Sequence, residues 1–132
     1  MDLAALLPKT KFDTALASEL VAIGYPEVEP VLRDILAWQQ DMNWPVARVF
    51  QPLLVSIGQP LSPFVSSILA GDDEGWKYSL LVSVVAQSPE LARALRSDLE
   101  RLATQPSSCE VGEELDQLAR QVLAAIAGKT EA

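Results

Sequence analysis

The turn Asp41-Met42-Asn43-Trp44-Pro45-Val46-Ala47 returns in outline thirty-two residues later as Asp73-Glu74-Gly75-Trp76-Lys77-Tyr78. Each has an acid at the turn and a tryptophan three positions on. One step back by the same interval lie Lys9 and Phe12, again an aromatic at the head of an apolar run. The same shift pairs Val46 with Tyr78, Val49 with Leu81, Phe50 with Val82, Leu53 with Val85 and, in the preceding segment, Leu36 with Ile68. A fixed period in this range, carried by paired helices, marks a stacked helical repeat. The expected fold is all-α, a short solenoid of stacked antiparallel helix pairs with about six or seven helices. Two clear units follow a degenerate N-terminal one, and the C-terminal helices cover the open end.

Helix signals agree with this phasing. Asp13 is placed to cap a helix carrying Ala15, Leu16, Leu20, Val21 and Ile23, and Gly24 to end it in the left-handed region. From Tyr25-Pro26 onward, Val28, Val31, Leu32, Ile35 and Leu36 keep a spacing of three and four. Asp41 or Asn43 can cap the next helix, where Val46, Val49, Phe50, Leu53, Leu54 and Ile57 form one stripe. Pro52 should kink that helix by removing a hydrogen bond, and Gly58 should stop it. Leu61, Phe64, Val65, Ile68 and Leu69 follow, and Asp72-Asp73 caps a helix over 76–86 that is apolar nearly all round. A helix without a polar face is expected at the centre, packed on both sides. Ser88-Pro89-Glu90 opens another, lined by Leu91, Leu95, Leu99 and Leu102. Residues 104–109 read as a linker, and a last helix carries Val111, Leu115, Leu118, Val122 and Ile126. Residues 1–128 are expected to form one domain, and residues 129–132 a disordered tail.

The length of 132 residues suffices for a core without metal or disulfide staples, and 49% of the residues are hydrophobic. Eighteen acids against ten bases give a net charge of −8. Binding to nucleic acid rests on neutralising phosphates, so this balance disfavours it and favours a basic protein partner. Cys109 is the single cysteine, which points to a reducing cytoplasmic setting. The N-terminus carries an acid where a signal peptide needs bases, and no targeting segment is expected. The longest uncharged span, residues 49–71, contains Pro52, Gly58, Pro60 and Pro63, so it reads as two helices and not a membrane span.

Three stretches together resemble a known bacterial family: Leu7-Pro8-Lys9 with Phe12-Asp13, the central Gln40 to Ala47 run, and Asp73 to Tyr78. That family is domain of unknown function 5071, and the resemblance runs from about residue 6 to residue 127. It is similar to HEAT-like helical repeats, which implies an all-α fold and brings no established activity. Ser79 departs from the pattern, since the resemblance implies a bulky, commonly aromatic residue there.

The chain has no histidine, which removes histidine-activated nucleophiles, histidine general bases and the usual transition-metal ligand sets. The six glycines stand singly, so no phosphate-cradling loop is present. Neither catalytic residues, a metal site nor a cofactor is expected. Asp72, Asp73 and Glu74 could meet a hard cation through oxygens, but capping and helix-dipole complementarity explain the same acids. Trp44 and Trp76 are either packing wedges between units or anchors of a recognition strip. The strip would hold Asp41, Asn43, Trp44, Asp72, Asp73, Trp76 and Lys77, with Lys77 making a minor solvated pair on its own turn. The expected function is a non-catalytic protein-binding module. An immunity protein neutralising a basic bacterial toxin is the alternative, and a metal-dependent enzyme using the Asp72 to Glu74 acids is a third possibility.

Overall fold

The computed structural model describes residues 2–130, with side chains through Gly128. Among the described residues there are nine α-helices, five short 3-10 turns and no strand. A 3-10 turn at Leu3–Leu6 precedes α1 (Thr14–Ile23), and another at Glu29–Val31 leads into α2 (Leu32–Ala37). A third, Trp38–Gln40, closes that segment before α3 (Pro45–Ile57). A fourth at Gln59–Leu61 opens α4 (Ser62–Leu69), which is followed by α5 (Glu74–Ser83) and the last 3-10 turn, Val85–Gln87. The C-terminal part contains α6 (Pro89–Ala94), α7 (Arg96–Thr104), α8 (Ser108–Gly112) and α9 (Leu115–Thr130). The tail expected beyond Gly128 is helical backbone as far as Thr130, and residues 131 and 132 lie outside those described.

Three of the expected runs are interrupted, and two of the breaks, at Leu95 and Glu114, raise the helix count above the expected six or seven. The run over 76–86 stops at Val84, which leaves helical geometry (φ −124°) in a stretch of adjacent valines. Leu95 separates α6 from α7 with φ −99° and ψ 13°. Glu114, at φ 60°, adopts the left-handed conformation between α8 and α9. The expected linker over 104–109 ends early, because residues 107–109 belong to a helix start. Ser107 accepts from the Glu110 N–H and the Glu110 carboxylate accepts from the Ser107 N–H, a complete capping box that starts α8.

The apolar stripes mostly meet in one core. Val28, Val31, Leu32, Ile35 and Leu36 are all buried, as are Val46, Phe50, Leu53, Leu54 and Ile57 of α3 and Leu91, Leu95, Leu99 and Leu102 of α6 and α7. α1 packs on α3, and α9 lies along α7 and reaches α5 and α6. α5 sits between the Trp38–Gln40 turn, α4 and α9, so it is flanked as expected. It is not apolar all round, however: Lys77 and Ser79 are buried while Tyr78 faces solvent. Val111, expected in the buried stripe of the last helix, is exposed.

α3 continues as helix through Pro52, whose ring lies on the exposed side. The sharp change of direction comes later, at Gly58 (φ +73°), where the segments Pro45–Ile57 and Gln59–Leu69 meet at 113°. A side chain at Gly58 would come within 3.0 Å of the Glu90 carboxylate, which accepts from the Gln59 N–H. No single helix among the described residues is long and apolar enough to cross a membrane.

Several contacts bridge residues about one period apart. The Arg33 guanidinium stacks over the Phe64 ring at 5.2 Å. Ser66 donates to Asp98 at 3.1 Å, Arg101 donates to the Leu69 carbonyl at 3.4 Å, and Lys77 meets Glu110 at 2.8 Å.

Candidate functional site

Trp76 lines a hollow of about 260 Å³ between α2, α4 and the start of α5. Asp73 caps α5, its carboxylate accepting from the Trp76 N–H at 3.0 Å. That bond sets the first turn of the helix and aims the indole back toward α2, where Nε1–H donates to the Leu36 carbonyl at 2.9 Å. The walls of the hollow are Leu36, Phe64, Ile68 and the half-buried Trp76 face, and Arg33, Asp72 and Asp73 stand on its rim. Neither Arg33 nor Asp72 has an ion-pair partner among the described residues. The rim therefore offers a guanidinium stacked on Phe64 and a carboxylate, neither in an ion pair among the described residues, beside an aromatic floor.

Asp41, Asn43 and Trp44 lie beyond the end of α2. Trp44 meets Trp38 edge to face, with centroids 5.8 Å apart and planes at 71°. Those two rings form a shallower hollow with Ala37 and Gln40. Leu36 lines the first hollow and Ala37 the second, so adjacent residues of one helix separate them. Neither Asp41 nor Asn43 caps α3, contrary to expectation. The Asp41 carboxylate accepts from the Asn43 N–H inside the turn at 2.8 Å, and Asn43 Oδ1 accepts from Arg48 at 3.1 Å. The turn is held from beneath by buried Gln39, which donates to the Ala47 carbonyl, and by Gln51, which donates to Gln39 and to the Met42 carbonyl. Ser79 supports it from α5. Its hydroxyl accepts from the Met42 N–H at 3.3 Å and donates to the Gln40 carbonyl at 3.4 Å.

Lys77 is not a surface residue. It is 2% exposed, with its ammonium 3.2 Å from Glu74 and 2.8 Å from Glu110. Glu110 also takes two hydrogen bonds from Arg101, at 2.9 and 2.8 Å. The Arg101 guanidinium holds the Glu110 carboxyl far below the usual carboxylate range; burial opposes this, while Lys77 and the Ser107 N–H reinforce it. The same hydrogen bonding raises Arg101. All four charges are engaged in joining α5, α7 and α8, which is a structural duty.

A model of the family described as domain of unknown function (DUF5071) matches residues 6–123 of the chain. The chain belongs to this family. No curated protein matches it. In this DUF5071 domain the seven sequence-derived site residues thus fall into three settings: Asp72, Asp73 and Trp76 share a hollow, Asp41, Asn43 and Trp44 occupy the neighbouring turn, and Lys77 is interior.

The acids at 72–74 do not converge. Asp73 is committed to its cap, Glu74 turns to Lys77, and Asp72 stands on the rim. Among the described residues of the DUF5071 domain, no three side chains of the metal-binding types gather to hold an ion. Sequence reasoning missed Arg33, Phe64 and the Glu110 cluster. The Glu110 cluster had a readable signal, because Ser107-Ser108-Cys109-Glu110 carries the serine-to-acid spacing of a capping box. Arg33 and Phe64 meet only through tertiary packing, and no local pattern announces them.

Proposed function

We propose that this DUF5071 domain is a non-catalytic protein-binding module built as a short HEAT-like solenoid, and that the Trp76 hollow is its recognition site. The contacts between residues about one period apart support the stacked arrangement, since each repeat in a solenoid touches its neighbours. The observation that carries the binding reading is the pairing of unneutralised Arg33 and Asp72 around the aromatic floor of Phe64 and Trp76. Aromatic anchors with charged rims are what protein interfaces use for energy and orientation respectively. A partner segment with an apolar side chain between a base and an acid fits such a rim. The reading places the domain in the cytoplasm, working without cofactor, nucleic acid or membrane.

The test is affinity capture from the native host with the wild-type domain and with an Arg33→Glu/Asp72→Lys variant, both residues being exposed. A protein retained by the wild type and lost by the variant supports the hollow as the contact. Equal retention by both removes it. The net charge of −8 favours a narrower second reading, an immunity protein that covers a basic toxin. A toxin gene directly beside this one separates the two readings.

A further inference from the structure

Two exposed apolar side chains lie far apart in the chain and carry flanking charges of opposite sign. Phe12 is 69% exposed and follows Lys9 and Lys11 in the chain, with the Lys11 ammonium 5.4 Å from the ring centre and the Lys9 ammonium donating to the Leu7 carbonyl. Asp13 follows it, its carboxylate accepting from the backbone N–H groups of Lys9 and Thr10, so the patch keeps an excess of one positive charge. Val111 is 48% exposed and precedes Glu113 and Glu114, both exposed. None of these two lysines and two glutamates has an ion-pair partner among the described residues.

The two patches belong to different parts of the molecule. Lys11 is tied to the start of α3 by its carbonyl, which accepts from the Val46 N–H at 3.1 Å, whereas α8 rests on α9. One molecule therefore presents both patches at once. Phe12 also stands at the register position of Trp44 and Trp76. Trp76 lies back on the preceding α2, while Phe12, which follows the 3-10 turn Leu3–Leu6, leaves its ring exposed. At the other patch, Glu114 stands on a left-handed backbone that non-glycine residues rarely adopt. Single exposed apolar residues are ordinary on protein surfaces. A complementary pair, one with an excess of lysine and the other flanked by glutamates, is what a self-contact requires.

We infer that the Phe12 patch of one molecule docks on the Val111 patch of a second copy, with Lys9 and Lys11 facing Glu113 and Glu114. The contact joins two different surfaces, so it propagates head to tail. The net charge of −8 opposes association at long range, but salt screens charges beyond about 8 Å at physiological ionic strength. The local pairs lie inside that distance. Two small patches make a small interface, so dissociation in the range of about 0.1–1 mM is expected. This inference does not use the Trp76 hollow and stands apart from the proposed function.

Sedimentation equilibrium tests it with charge-swapped variants. The wild-type weight-average mass should rise above the 14.3 kDa monomer as concentration increases from about 20 µM to about 1 mM at low salt. Lys9→Glu/Lys11→Glu and Glu113→Lys/Glu114→Lys should each stay monomeric over the same range. An equimolar mixture of the two should recover the association, because the swapped signs then meet across molecules. Phe12→Ser, which leaves every charge in place, should weaken wild-type association about tenfold, the loss of one buried apolar side chain. Far-UV circular dichroism checks that each variant is folded. A wild type that stays monomeric at about 1 mM overturns the inference. So does undiminished association by either charge variant, or a mixture of two monomeric variants that fails to associate.

Discussion

The turns at Asp41–Trp44 and Asp73–Trp76 share a sequence outline and bond in different ways. In the second, the acid directly precedes helix α5, caps it through the Trp76 N–H, and leaves the indole bonded to the Leu36 carbonyl. In the first, the acid bonds within the turn, α3 begins only at Pro45, and Trp44 leans on Trp38. The cause lies one position past the tryptophan, where proline stands in one turn and lysine in the other. A proline disfavours helical geometry at the residue before it, and Trp44 is accordingly extended, with ψ 142°. The helix cannot reach back to Asp41. At the matching place Lys77 continues the helix and carries its charge into the interior. One residue thus decides whether the turn is a helix start or a separate loop.

The strongest way to break this contrast is to remove the counter-ion on which the second turn depends. Glu110→Gln leaves buried Lys77 with Glu74 as its remaining counter-ion and takes the carboxylate from Arg101, and should cost roughly 1.5–3 kcal/mol, read from the midpoint of urea unfolding. The pH dependence has a defined sign. The Glu110 carboxyl is depressed in the folded state, so its contribution is complete above the unfolded value near about 4.3 and is lost as pH falls below it. Thermal melts from neutral to acid pH should show that loss in the wild type and a flatter profile in Glu110→Gln.

A sharper comparison exchanges the two tryptophans. Trp76→Phe deletes an indole N–H and removes one of two donors to the Leu36 carbonyl, the Trp38 N–H remaining, for a cost of about 1–2 kcal/mol. Trp44→Phe keeps a ring against Trp38 and loses no hydrogen bond, because Trp44 Nε1 has none among the described residues; a change of about 0.5–1.5 kcal/mol is expected. Equal effects in chemical denaturation would erase the distinction between the two turns. The smallest pair concerns the acids. Asp73→Ala should cost about 1 kcal/mol as a lost N-cap, and Asp41→Ala should stay within about 0.5 kcal/mol as a surface change.

The fold class was readable because the apolar stripes of α2, α3 and α6 with α7 follow helical spacing, and their residues are the ones buried. The repeat phasing also found the aromatic positions. It could not distinguish their surroundings, since the outline records residue types and Pro45 acts through backbone conformation. Lys77 was misplaced for a related reason. A lysine in an apolar helix reads as solvated unless its partner is known, and Glu110 lies thirty-three residues away, just past the stretch 104–109 that reads as a linker. The Trp76 hollow was half legible: Asp72, Asp73 and Trp76 are neighbours in sequence, whereas Arg33 and Phe64 are brought there by helix packing alone.

The five-residue α8 is far too short to hold helical structure unaided. Glu110 fastens it through Lys77, Arg101 and the Ser107 cap, so it cannot fray as a surface turn ordinarily does. Releasing it exposes a paired ammonium and guanidinium on two other helices. Its amide protons should therefore exchange with solvent at the slow pace of α5 and α7, in a shared opening event.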